Sequence, residues 1–151
     1  MGFNFRFEKV IKLRRRAVDQ QALAVAEADR ELAAVRGKLA DLEAEIAHLH
    51  TEPRSLPDRA ISVQDLVAKT AWLQHLLRMH ETYLTEHVKA EANLAGERRR
   101  LTEAWRDLEV LVKLKERRYE QWRLQQAKAE KRDLDEIGQI RADRQRRQGI
   151  S

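Results

Sequence analysis

Residues 7–49 read FEKVIKLRRRAVDQQALAVAEADRELAAVRGKLADLEAEIAHL. Within them Phe7, Ile11, Arg14, Val18, Gln21, Val25, Ala28, Leu32, Val35, Leu39, Leu42, Ile46 and Leu49 follow in alternating steps of four and three. On a helix this spacing lays all of them along one stripe, a heptad seam held for six repeats. The pattern predicts a coiled-coil helix over about 7–50. Its apolar stripe must be covered, so the rest of the chain is read first as a source of cover. Arg14 and Gln21 stand at seam positions, where polar residues fix register at a cost in stability.

The cover comes after a break. Pro53 and Pro57 are the only prolines, and with Asp58 they mark a turn over 51–61. Ser62 then reads as an N-cap, with Asp65 three residues on. A second seam follows: Val63, Leu66, Thr70, Leu73, Leu77, His80, Leu84, His87, Glu91, Leu94, Arg98, Leu101, Trp105, Leu108, Val112, Lys115, Tyr119 and Trp122. It resumes out of phase at Leu134, Ile137 and Arg141, which reads as a slip in the heptad near 126–133. The phase holds across Gly96, so one helix is expected over about 62–146, with a disordered tail at 147–151.

Two seamed helices joined by a short turn imply an antiparallel hairpin. The expected fold is all-α: an elongated two-helix coiled coil, a single domain over 1–151, with the second helix the longer. Placing Leu49 opposite Val63 puts Phe7 near Trp105. The second helix then runs on for roughly 40 residues, some 60 Å at 1.5 Å per residue. The same register sets the basic N-terminal block beside Arg98, Arg99 and Arg100.

Composition agrees with long helices rather than a compact globule. Charged residues make up 36% and aromatic residues 5% of the 151, as in chains built from heptads. The absence of cysteine excludes disulfides and zinc-thiolate sites. No apolar run approaches the roughly 20 residues a membrane helix needs. The N-terminus lacks the apolar core of a signal peptide, so a cytoplasmic location is expected. The net charge of +5 is unevenly spread. Residues 1–16 carry six Lys/Arg against Glu8 alone, and residues 17–50 three against seven Asp/Glu. Residues 97–151 carry sixteen against eleven.

Few residues invite chemistry. His75, His80 and His87 are not three or four apart, and Glu45 with His48 gives only one Glu-x-x-His pair where a di-iron bundle needs two. No phosphate loop or nucleophile elbow is present. The expectation is a protein without catalytic activity, metal, cofactor or small-molecule substrate. The basic block Lys9, Lys12, Arg14, Arg15 and Arg16 precedes a heptad run as in a leucine zipper, but the heptads begin inside it. Nucleic acid is therefore not an expected partner. A different surface stands out. Trp72, Leu76, Met79 and Tyr83 lie one position before the seam residues and widen the apolar face. They read as a helical docking patch for another protein, with Trp72 and Tyr83 as anchors.

Several stretches taken together resemble a known family. The chain opens with Phe5, Phe7, Val10, Ile11, Leu13 and Arg14 and has a proline-containing turn near residue 55. It continues with Leu111, Lys113, Leu114, Glu116, Arg117 and Arg118. It closes with Lys131, Asp133, Leu134, Asp135, Glu136 and Ile137 before a run of arginines. In order and spacing these resemble the FliJ family, soluble components of the bacterial flagellar type III export apparatus.

That resemblance implies an antiparallel coiled coil similar to the central stalk of rotary ATPases. It implies three partners: the hexameric flagellar export ATPase, the cytoplasmic part of the export-gate membrane protein, and export chaperones. By position, Trp72, Leu76, Met79 and Tyr83 match the stripe the family uses against the gate. Phe5, Phe7, Lys9, Lys12, Arg15, Arg98, Arg99, Arg117, Arg118, Lys131 and Arg132 would then contact the ATPase ring. The implied location is cytoplasmic, peripheral at the inner membrane. Two other readings remain open at this point: the equivalent stalk of a virulence-type injectisome, and a generic dimeric coiled-coil scaffold.

Overall fold

The computed structural model describes residues 2–51 and 62–149. Two helices account for almost all of them: α1, Glu8–Thr51, of 44 residues, and α2, Val63–Gly149, of 87. No strand occurs among the described residues. Both helices lack proline, and each places charge to suit its dipole. Glu8 and Asp65 lie in the first turns, and His48 with His50, and Arg146 with Arg147, in the last. Ser62 caps α2 as its side chain predicts, its Oγ accepting from the Asp65 amide at 3.1 Å. α2 continues to Gly149, so 147–149 are helical where a disordered tail was expected. No glycine or proline interrupts the helix between Ala142 and Gln148. Residues 150–151 and the Pro53–Pro57 turn lie outside the described residues. None of the helices described is long and apolar enough to cross a membrane.

The two helices pack against each other in two compact units, Ala17–Ala104 and Met1–Arg16 with Trp105–Ser151. In the first unit the expected α1 seam is the core: Val18, Ala28, Leu32, Leu39 and Leu42 are buried. Ala28 and Leu32 pack with Leu94, flanked by Val25 and Ala90. Pairing is antiparallel. Gln21 meets Glu97, Arg36 meets His87 and Glu43 meets His80.

On α2, half of the expected seam is displaced by one residue. Leu73, His80, His87, Leu94 and Leu101 face α1, as read from the sequence. Between them the inward positions are Leu76, Tyr83, Ala90, Glu97 and Ala104. The expected Leu77 and Leu84 are 50% and 44% exposed. Glu91 and Arg98 also face outward. Ala90 packs against the Ala28, Leu32 and Leu94 cluster, whereas Glu91 and Arg98 would have lost solvation in the seam. Glu97 tolerates its inward place because it is satisfied. The Gln21 amide donates to both its carbonyl and its carboxylate, and Arg100 Nη1 donates to the carboxylate at 2.8 Å.

The second unit begins with Phe5, which is 8% exposed, while Phe7, expected to open the seam, is 37% exposed. Ile11 and Leu108 are buried. Arg14 pairs with Asp107 at 3.6 Å and Glu8 with Lys115 at 2.7 Å. Phe7 therefore lies roughly three helical turns further along α2 than Trp105. The register differs because α2 starts well before its cover does. Val63, Leu66 and Val67 are all at least half exposed, and the first inward side chain is Leu73. The uncovered end of α2 is correspondingly shorter. Phe3 still reaches Trp122, leaving about 27 residues to Gly149, or about 40 Å.

Leu32, at 4% exposure in the cluster with Ala28 and Leu94, tests the seam. Leu32→Ala is expected to cost about 2–4 kcal/mol in urea unfolding, and Leu13→Ala, at a side chain 61% exposed, less than about 0.5 kcal/mol.

Candidate interaction surfaces

The aromatic residues of the N-terminal segment build a connected surface feature. Gly2–Phe5 is not helical, which frees its side chains from the α1 stripe. The Phe3 ring stands edge-on to Tyr119 at 5.4 Å between centroids and lies 5.9 Å from Trp122. Tyr119 and Trp122 are themselves 5.9 Å apart, one turn apart on α2. Phe5 meets Phe7 edge-on at 5.7 Å, and the Arg6 guanidinium lies 5.6 Å from the Phe7 ring centre. Such edge-on and cation contacts each add about 0.5–1.5 kcal/mol beyond area burial. They anchor a segment whose backbone contributes little, the Glu8 amide to the Phe5 carbonyl being its own link to α1.

Glu8 fastens the start of α1 electrostatically. Its hydrogen bond to Lys115, aided by the charges of Lys115, Lys12 and Arg15, holds its carboxyl below the usual carboxylate range. A lowered carboxyl pKa stabilises the folded state above its unfolded value, and that contribution is lost as pH falls through the folded value. The Phe3–Trp122 contact is therefore expected to loosen on acidification below the usual glutamate range, followed by Trp122 emission. Glu8→Gln should remove that step from the titration.

Most of the expected ATPase contacts belong to this unit. Lys9, Lys12, Arg15, Arg117 and Arg118 are exposed there, as are Lys131 and Arg132 on the uncovered part of α2. Phe5 is largely occupied by internal packing. Arg98 and Arg99 are exposed but belong to the other unit, beside Glu97 and its Gln21 partner. The expected meeting of the N-terminal basic block with Arg98–Arg100 is thus corrected. The block lies alongside Asp107 to Lys115, because the register is later.

The docking stripe also changes. Leu76 is 1% exposed, the most deeply buried side chain of α2, and Tyr83 is half-buried under Lys38, whose Nζ is 5.8 Å from its ring centre. Met79 is half-buried and Trp72 is 46% exposed, its ring 5.5 Å from that of His75. As a continuous exposed stripe the four do not stand, since the one-residue displacement of the seam takes Leu76 into the core. Trp72 remains available. The sequence reading missed Phe3, Tyr119 and Trp122 as a group. Their signal was the non-helical alternation of Phe3, Phe5 and Phe7, which needed the true register to find its partners.

His80 meets Glu43 at 3.1 Å, and His87 meets Glu91 at 3.4 Å and the Arg36 Nε at 3.4 Å. Among the described residues no group of three or more His, Cys, Asp or Glu is placed to hold a metal ion.

No curated protein and no solved structure matched the chain. A family model did: the model described as Flagellar FliJ protein matches residues 3–147. It thus spans both helices, including the aromatic segment at Phe3 and the arginines that end α2. By that match the chain belongs to the FliJ family of flagellar export components.

Proposed function

We propose that the protein is a non-enzymatic stalk and coupling factor of the flagellar type III export apparatus. The observation that carries this reading is the end of cover on α2. Beyond Trp122 a single helix continues to Gly149 with its side chains almost all exposed, beside an N-terminal block rich in Lys and Arg. A helix of that length whose side chains are almost all exposed offers a surface to another protein. Membership of the family makes the export ATPase ring the partner of choice.

The coupling is steric and electrostatic. An asymmetric helix pair inside a ring of identical subunits touches each of them differently. Different contacts mean different binding free energies, and only such differences can bias the nucleotide states of the subunits. Lys9, Lys12, Arg15, Arg117, Arg118, Lys131 and Arg132 supply the charge for this, and Arg98 and Arg99 a second cluster. The cytoplasmic part of the export gate is met through Trp72, with Met79 at its edge. Export chaperones are the third class of partner. These partners would hold the protein at the cytoplasmic face of the inner membrane.

Addition of the protein to its export ATPase is expected to promote ring formation and raise the hydrolysis rate. No change in either would remove the stalk reading, and obligate dimerisation through α2 would favour a scaffold. Trp72→Ala is expected to weaken gate binding about tenfold or more in a pull-down or titration, with helicity by circular dichroism unchanged. Leu76→Ala should instead lower the unfolding midpoint, since its side chain is part of the core.

A further inference from the structure

A cleft of about 400 Å³ separates the N-terminal segment from α2, lined by Phe3, Phe5, Arg6, Arg118, Gln121 and Trp122 among others. Its chemistry is specific. The walls are aromatic, and the polar groups that reach it are two guanidiniums and carboxamides. Neither arginine has a carboxylate partner among the described residues: Arg6 rests by the Phe7 ring, and Arg118 makes no ion pair. Of the three glutamates nearby, Glu8 pairs with Lys115 and Glu120 with Arg123, while Glu116 is exposed. Residues 2–16 and 113–125 together hold eleven Lys/Arg against three Glu. The surroundings therefore favour an anion, and the cleft favours one attached to something apolar.

We propose that this cleft is a peptide-binding site, taking a segment in which a carboxylate stands beside a bulky apolar side chain. The apolar side chain enters between Phe5 and Trp122, and the carboxylate meets Arg118 and Arg6. A bidentate arginine–carboxylate pair supplies the orientation. The backbone of Phe3 and Asn4 makes no hydrogen bond within the chain among the described residues and is open to an incoming segment. A phosphate ligand fits less well. No residue described has the positive φ from which backbone anion nests are made. The cleft shares Arg118 with the end proposed to enter the ATPase ring. Its test needs no ATPase, so either proposal can fail alone.

Trp122 is a built-in reporter once Trp72 and Trp105, the other two tryptophans, are changed to phenylalanine. In that full-length variant the blocked tetrapeptide Glu-Leu-Phe-Glu is expected to give a saturable change in emission, with Kd below about 1 mM. Arg118→Gln, an exposed substitution, should weaken it about tenfold, and added salt should weaken it too. The peptides Lys-Leu-Phe-Lys and Glu-Ser-Ser-Glu should give no saturation in the same range. The proposal is overturned by no saturation with the acidic apolar peptide, by equal binding of the lysine peptide, or by indifference to Arg118→Gln. Displacement of the peptide by ATP or inorganic phosphate at equal concentration would overturn it in favour of a phosphate site.

Discussion

The apolar stripe of α1 has to be kept from water, and little else in the chain can do it. Ile11, Val18, Leu32, Leu39 and Leu42 are each nearly inaccessible, and burying each is worth about 1.5–3 kcal/mol. Among the described residues no other hydrophobic layer competes for them. The cover is a single helix, so every choice α2 makes about which side chains face inward reaches the surface as well. A position moved into the seam moves its neighbour out.

That exchange decides what the protein presents. The line through Leu73, His80, His87 and Leu94 is common to both possible seams on α2. The second line runs through Leu76, Tyr83, Ala90 and Glu97, not through Leu77, Leu84, Glu91 and Arg98. By hydrophobicity alone the two are close, and the rejected one has the larger residues. What separates them is fit and solvation: Ala90 packed against the Ala28, Leu32 and Leu94 cluster, and Glu97 placed where Gln21 and Arg100 satisfy it. Gln21 thus acts as the polar register element its seam position announced. Arg14, the other polar seam residue, escapes to pair with Asp107 at the surface.

The proposed function rests on where cover ends rather than on the fold, since a helical hairpin by itself has no chemistry. Beyond Trp122 the α2 helix is open, and beside it the aromatic N-terminal segment is pinned by Phe3 on one side and by the Glu8–Lys115 bond on the other. The family match covers this region together with the rest of the chain. In the proposed reading, the charged, uncovered helix and the basic aromatic end are what meet other proteins.

The seam of residues 7–49, the two helices, the Ser62 cap and the greater length of α2 were determined by the sequence itself. Each is local: a 3.6-residue period, a capping hydroxyl, or a stretch without breakers acts over a few turns. The resemblance to the family was likewise legible in order and spacing. Register was not. Sliding α2 along α1 by a few turns, or turning it by one residue, preserves a heptad match, and only the sum of contacts across the interface distinguishes the options. The tertiary structure therefore decided that Leu76 is core and Leu77 is surface, that Phe5 rather than Phe7 is buried, and that Phe3 finds Tyr119 and Trp122. Periodicity along one helix specifies a face, whereas the partner's shape and polar groups specify what that face meets.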